Sequence, residues 1–225
     1  MSTAQGDSNL QARRDRRRHA ARRSEAQERA ILDAAERLLD ERRYEDLTVA
    51  DIATAAGISR PGIYFYFGSM EELLVALVSR GLTELMDSIA SVSIPPGAGP
   101  VDVLATGLRH TSDGWRSHGP LLRTAVEQAY RVPAIYQEWR GLLQRGVDLY
   151  VELMTWSAEI DNRPPPEGAE ARRHAELCML MVGHSLHDLY ENSADAAAID
   201  QREQDLLLVV TRALQLHPGE PVEPA

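Results

Sequence analysis

Residues Thr48–Phe67 (TVADIATAAGISRPGIYFYF) constrain the fold more tightly than any other stretch of the chain. Thr48 is placed to cap a short helix, with Asp51 at its third position and Val49, Ile52, Ala53 and Ala56 as its apolar stripe. Gly57 supplies the positive φ that ends this helix and turns the chain. Ser59 then caps another helix, which tolerates Pro61 in its first turn and carries Ile63 and Phe67 on one buried face. Upstream, Ser24-Glu25-Ala26-Gln27 has capping-box spacing, and Ala30, Ile31, Ala34, Ala35, Leu38 and Leu39 follow at helical intervals. That predicts a first helix of about 18 residues, with Arg42 and Arg43 complementing its negative end. Downstream, Gly68 breaks the third helix and Ser69-Met70-Glu71-Glu72 opens a fourth through Leu73, Leu74, Leu77 and Val78. Helix, short helix, tight turn, helix is a helix-turn-helix pattern.

No helix can cross the Pro/Gly run Ile94–Pro100. Beyond it the segments near 101–117, 120–130, 133–158, 169–192 and 200–216 all read as helical, separated by Gly119-Pro120, Val132-Pro133 and 162–168. No strand alternation persists and no internal repeat is present. The expected class is all-α: an N-terminal three-helix helix-turn-helix domain over 24–80 and a larger helical domain over 81–218. Residues 1–23 are expected to form a disordered arginine-rich arm and 219–225 a disordered tail. A chain of 225 residues buries a core without staples, and its one cysteine, Cys178, cannot make an internal bridge. The longest apolar run of note, Leu177–Val182, falls far short of a membrane span, and the polar N-terminus lacks a secretory h-region. A cytoplasmic protein with no membrane partner is expected.

The net charge of −10, taken alone, argues against nucleic acid as a partner. Its distribution argues otherwise. Residues 1–80 carry 13 arginines against 13 acids, whereas 81–225 carry 11 against 21, which accounts for the whole excess. Arg13, Arg14, Arg16, Arg17, Arg18, Arg22 and Arg23 crowd together against the single acid Asp15. By itself such a terminus is as readily a solubilising tail as a nucleic-acid arm. The helices behind it decide between the two.

A helix lying in the major groove needs polar or basic groups at its N-terminal end toward the bases, and aromatic or hydroxyl groups toward phosphates. Arg60, in the first turn of the third helix, is placed to bind guanine O6 and N7, and Gly62 permits close approach. Tyr64 and Tyr66 diverge by about 200°, so they cannot both face the same strand; half-buried packing is the alternative role for either. Over residues 29–78 the chain resembles the N-terminal domain of the TetR-like (tetracycline repressor) family of bacterial transcriptional regulators. The resemblance runs through Leu38-Leu39, Thr48-Val49, Asp51-Ile52-Ala53, Gly57-Ile58-Ser59, the aromatic recognition helix and the Ser-x-Glu-Glu start of the fourth helix. Ile58–Phe67 is most similar to the EthR-like branch, and Trp115-Arg116-Ser117-His118 with Glu138-Trp139 is compatible with that branch's ligand domain. The resemblance implies that Arg60, Pro61, Gly62, Tyr64, Phe65 and Tyr66 contact bases or phosphates, with Thr48 and Ser59 completing the DNA-binding set. Three departures matter. Met70 stands where the family has a phosphate-binding lysine, Tyr66 where many relatives have histidine, and Arg43 where a glycine usually ends the first helix. Arg43 must therefore adopt a strained left-handed conformation, or the turn differs. The chain contains no lysine, so the arginine arm is the expected source of the phosphate contacts that Met70 cannot make.

Residues 177–182 (LCMLMV) and 206–210 (LLLVV) are apolar around the whole helix, and such a helix must be covered on all sides. A homodimer through the helices near 169–192 and 200–216 is the economical cover, and the resemblance implies the same. Trp115, Trp139, Leu143, Val147, Tyr150 and Met179, with His184 or His187 as a polar end, are the candidate lining of a pocket for a small apolar or aromatic effector. A plain hydrophobic core is the rival reading, and the resemblance favours the pocket. His184, His187 and Asp188 share a helical face, but no Cys/His cluster accompanies them, so no metal or cofactor is expected. No phosphate loop, nucleophile elbow or cysteine nucleophile motif is present, so an enzyme with an appended DNA-binding module finds no support. The implied function is a regulator, a repressor released from a palindromic double-stranded DNA operator by its effector. The alternatives are an activator or a regulator controlled by a protein partner.

Overall fold

A computed structural model describes the backbone of residues 3–90, 96–191 and 196–217, with the side chains of 22–89, 96–191 and 197–217. Among the described residues every regular element is helical, and the chain divides into two units, Met1–Leu77 and Val78–Ala225. That division falls inside the fourth helix, three residues before the boundary expected at 80–81.

The first unit contains α1 (Thr3–Glu41), a 3-10 turn (Tyr44–Asp46), α2 (Val49–Ala55), α3 (Arg60–Tyr66) and the start of α4 (Met70–Ala90). Ile31, Ala34, Ala35 and Leu39 of α1 are buried, as are Ile52 and Ala53 of α2, Ile63 of α3, and Leu73, Leu74 and Leu77 of α4. Two expectations are corrected here. Residues 3–23 are helical rather than a disordered arm, and α1 runs unbroken through Ser24, which caps nothing. Between Asp7 and Arg23 there is neither proline nor glycine, and Ala, Gln and Arg are good helix formers. A helix anchored by its packed turns at 31–39 therefore propagates upstream at one hydrogen bond per residue. A cap at Ser24 would need a non-helical residue there. Arg43 avoids the left-handed region: at φ −73° and ψ 154° it is extended, and the chain leaves α1 through the 3-10 turn. The turn differs, and no strain is stored at Arg43.

The second unit contains the rest of α4, then α5 (Pro100–Ala129), α6 (Pro133–Ile160), α7 (Gly168–Glu191) and α8 (Ala196–Ala213). Helix α5 packs against α6, α7 and α8, and α6 lies along α7. The expected break at Gly119-Pro120 is a kink within α5, where His118 has φ −131° and ψ 24°. Pro120 has no N–H to give and crowds the residues before it, so the helix bends and then resumes. Pro100 and Pro133 occupy first turns, where a missing N–H is harmless. Helix α8 begins earlier and ends earlier than the expected 200–216, because an Ala196-Ala197-Ala198 start favours helix and Gln215 at φ 52° terminates it. Leu216 N–H donates back to Thr211 O at 3.0 Å, and Arg163 donates to Gln215 O at 2.6 Å. No single described helix is long and apolar enough to cross a membrane. The tail expected at 219–225 lies outside the described residues.

Candidate nucleic-acid interface and effector cavity

The reading head is built from local caps. Thr48 Oγ1 accepts from Asp51 N–H at 3.2 Å, while the Asp51 carboxylate accepts from Thr48 N–H at 2.9 Å and from its hydroxyl at 2.6 Å. Arg42 approaches the same carboxylate at 3.5 Å, tying the end of α1 to the start of α2. The Thr48 hydrogen bonds, and secondarily Arg42, hold the Asp51 carboxyl below the usual carboxylate range. Gly57 turns the chain at φ +67°, with Ile58 N–H donating to Ala53 O at 3.0 Å. Ser59 Oγ then accepts from Gly62 N–H at 3.2 Å and starts α3. The hydroxyls of Thr48 and Ser59 are thus engaged in capping.

Helix α3 is two turns long, and its faces differ sharply. Ile63 (1% exposed) anchors it to the core with Phe67 (5%), whereas Tyr64 is 43% and Phe65 79% exposed. Arg60 and Pro61 are also exposed, Gly62 and Tyr66 half-buried. The Arg60 guanidinium carbon lies 5.9 Å from the Tyr64 ring centroid, and the Phe65 and Tyr66 rings meet edge-on at 5.1 Å. The Arg60 guanidinium makes no hydrogen bond or ion pair with any described residue. Such a surface offers a planar donor fork and a bare aromatic edge side by side. At the start of α4, Ser69 Oγ accepts from Glu72 N–H at 3.0 Å and Glu72 accepts from Gly68 N–H at 2.9 Å. Met70, the first residue of α4, brings no cation to that position.

In the second unit α4, α5, α6 and α7 line a cavity of about 130 Å³ that opens to water. Trp115, Trp139, Leu143, Tyr150 and Met179 of the expected set line it. Three expected residues do not. Val147 is buried (3% exposed) outside the cavity, since two successive steps of four residues advance it about 80° from Trp139. His184 is exposed and borders a neighbouring groove with Tyr130, Tyr136 and Trp139. His187 packs edge-on against Trp115, with ring centroids 6.0 Å apart, and its Nε2 is buried with no hydrogen-bond partner. Trp115 is stacked on its other neighbour Tyr190 at 5.6 Å, whose hydroxyl donates to Ser112 O at 3.0 Å. Burial pushes the Tyr150 phenol well above its ordinary pKa.

The sequence pattern missed Leu85, Met86 and Ile89 of α4, Arg145 of α6, and the glycines that face the cavity. A signal for the glycines was present. Gly107 and Gly183 sit inside helices, and a Cβ added at either would meet nothing within 4 Å. No close helix contact accounts for them; both border the empty space. No group of three His, Cys, Asp or Glu side chains converges as a metal site among the described residues.

Comparison with known proteins agrees with this geometry. Residues 31–77 match the family model described as bacterial regulatory proteins, tetR family. The chain is 30% identical to the HTH-type transcriptional regulator EthR of Mycolicibacterium smegmatis over 85% of its length and 84% of that protein. It is 30% identical to EthR of Mycobacterium tuberculosis over 78% of its length and 82% of that protein. A TetR-like regulator structure from Rhodococcus sp. RHA1 superposes with a TM-score of 0.67 at 21% identity, covering 84% of this chain and 96% of that one, and so shares the fold. The chain therefore belongs to the TetR family of DNA-binding transcriptional regulators, of EthR type, and is not an enzyme.

Proposed function

We propose that the protein is a ligand-responsive repressor whose α3 reads a palindromic operator and whose second-unit cavity holds the effector that releases it. The observation that carries the first half is the outward face of α3: an unpartnered Arg60 guanidinium beside Tyr64 and a Phe65 ring 79% exposed to water. An apolar ring so exposed is costly unless a partner covers it, and a thymine methyl or sugar edge does so. Thr48, Ser59, Pro61, Gly62 and Tyr66 act around it as caps, close-approach points and phosphate contacts. The arginines of 13–23 supply phosphate contacts in place of a cation at position 70. The protein works in the cytoplasm, where its operator is.

TetR-family regulators typically dimerise. Leu177 (65% exposed) and Leu180 (48%) on α7, and Leu208 (49%) and Val209 (47%) on α8, support pairing through these two helices. A twofold dimer places two recognition helices about 34 Å apart or a multiple of that, matching palindromic half-sites.

Helix α4 bears core residues of the first unit (Leu73, Leu74, Leu77) and cavity wall in the second (Leu85, Met86, Ile89). An effector that displaces this wall acts on the reading head through the same helix, and a coupling of about 1–3 kcal/mol suffices for induction. The test of the DNA half is Arg60→Ala on duplexes selected by the wild-type protein from a random pool. Binding falls by about 1–3 kcal/mol and preference relaxes at one base position. An equal loss on every sequence would make Arg60 a phosphate contact and refute the base-reading role.

A further inference from the structure

The one charged side chain in the described cavity lining is a cation. The wall is otherwise largely aliphatic and aromatic, and no aspartate or glutamate lines it among the described residues. Thr111 lines it, but its hydroxyl already donates to Gly107 O at 2.8 Å. The Trp115 and Trp139 indole N–H groups make no hydrogen bond with any described residue, and two further groups are left over. Tyr150 is 5% exposed, and its hydroxyl makes no hydrogen bond with any described residue. A phenol hydroxyl without a protein partner gains a hydrogen bond from an acceptor on a bound molecule. Arg145 is the one cation in the described lining; it has no ion pair or hydrogen bond among the described residues, and it is exposed. On the helix wheel of α6, Tyr150 falls in line with Trp139 and Gly146 at the centre of the cavity-facing stripe. Arg145 lies at the stripe's edge, beyond Leu142 and Leu149. The site therefore has a largely apolar interior holding a few neutral donors, and a cationic edge open to water.

We infer that the effector is an amphiphilic carboxylate, its hydrocarbon tail inside the cavity and its anionic head on the Arg145 guanidinium. A carboxylate is planar, anionic and acceptor-only, which is what an unpaired guanidinium fork takes up. A neutral apolar molecule leaves both Arg145 and the cavity mouth without a partner, and a cationic head meets repulsion from Arg145. A head at the mouth keeps its hydration on one side, so the guanidinium selects the head group while the tail supplies most of the affinity. An oxygen along the tail gains further from the Tyr150 hydroxyl. This inference rests on the proposal that the cavity is the effector site, and its test separates the two.

The probes are dodecanoate, methyl dodecanoate and dodecyltrimethylammonium, titrated as monomers against the fluorescence of the full-length protein, since Trp115 and Trp139 line the cavity. The expected order is carboxylate, then ester, then cation, with roughly three- to ten-fold between the first two, a range between an exposed ion pair and a charge-assisted hydrogen bond. Arg145→Met, an exposed and helix-compatible change, collapses that difference, and so does raising the salt concentration for the wild type. Carboxylate and ester binding equally, or the cation binding best, overturns the anionic head while leaving the cavity as the effector site. Failure of all three to bind, or binding that persists when Gly183→Leu fills the cavity, overturns both readings.

Discussion

Two glycines inside long helices carry a measurable statement about what the second unit is for. Gly107 in α5 and Gly183 in α7 each cost about 0.5–1 kcal/mol relative to alanine at a helix interior. No packing contact offsets this, since a Cβ at either position would meet no atom within 4 Å. Gly107→Ala and Gly183→Ala should therefore each stabilise the unliganded protein by about 0.5–1 kcal/mol, or roughly 1–4 °C in Tm for a chain of this size. Both should also weaken an apolar probe, because each new methyl projects into the space that the probe must fill. The neighbouring glycines give the opposite sign. A Cβ at Gly114 would collide with Leu85 Cδ1, and one at Gly81 with Leu121 Cδ2. Alanine there should destabilise by about 1–3 kcal/mol through overpacking. Thermal melts at one fixed protein concentration, paired with titration of a polarity-sensitive naphthalene dye, read both effects. Loss of stability in Gly107→Ala or Gly183→Ala would show that these glycines serve helix packing rather than keeping a cavity open.

The first unit gives two further outcomes. The Asp51 carboxyl is held low by Thr48, so its contribution is present above the ordinary carboxylate pKa and is lost as pH falls through the lowered folded-state value. Acid unfolding of Asp51→Asn should therefore lack part of the wild-type slope in the acid limb. An identical slope would remove the capping role, and Thr48→Ala should cost about 1 kcal/mol at neutral pH. Deleting residues 1–23 should weaken operator binding and reduce the steepness with which log affinity falls against log salt, by about one unit for each phosphate that the arm neutralises. An unchanged slope would take the arginines away from DNA.

The features legible in the sequence are those that depend on neighbours a few residues apart. The caps at Thr48 and Ser59, the left-handed turn at Gly57 and the buried pair Ile63 and Phe67 each arise from spacings of three to five residues. The proline punctuation at Pro100 and Pro133 does as well. The start of α1 is not legible locally, because a cap at Ser24 competes with propagation from an anchored helix, and the second is the stronger. Arg43 was resolvable only in three dimensions, since extended and left-handed backbones lead the chain to different places. The cavity was half legible. Aromatics on one stripe of α6 mark it, but the drift of about 80° over eight residues carries Val147 off that stripe. The contribution of α4 depends on tertiary placement that no period reveals. Arg145 was invisible as a lining residue because an exposed arginine on a helix is ordinarily a solvated one.

The central claim is that occupation of the cavity and binding of the operator are linked, and linkage is reciprocal. The direct measurement is the dissociation constant of one cavity ligand, dodecanoate, determined by tryptophan fluorescence with the free protein and again with the protein saturated by its selected duplex. An effector that releases the operator must bind the duplex-bound protein about 5–150-fold more weakly, and the duplex must lose the same factor when the ligand saturates the protein. Equal ligand affinities in the two states would contradict the account, because a ligand indifferent to DNA cannot release it.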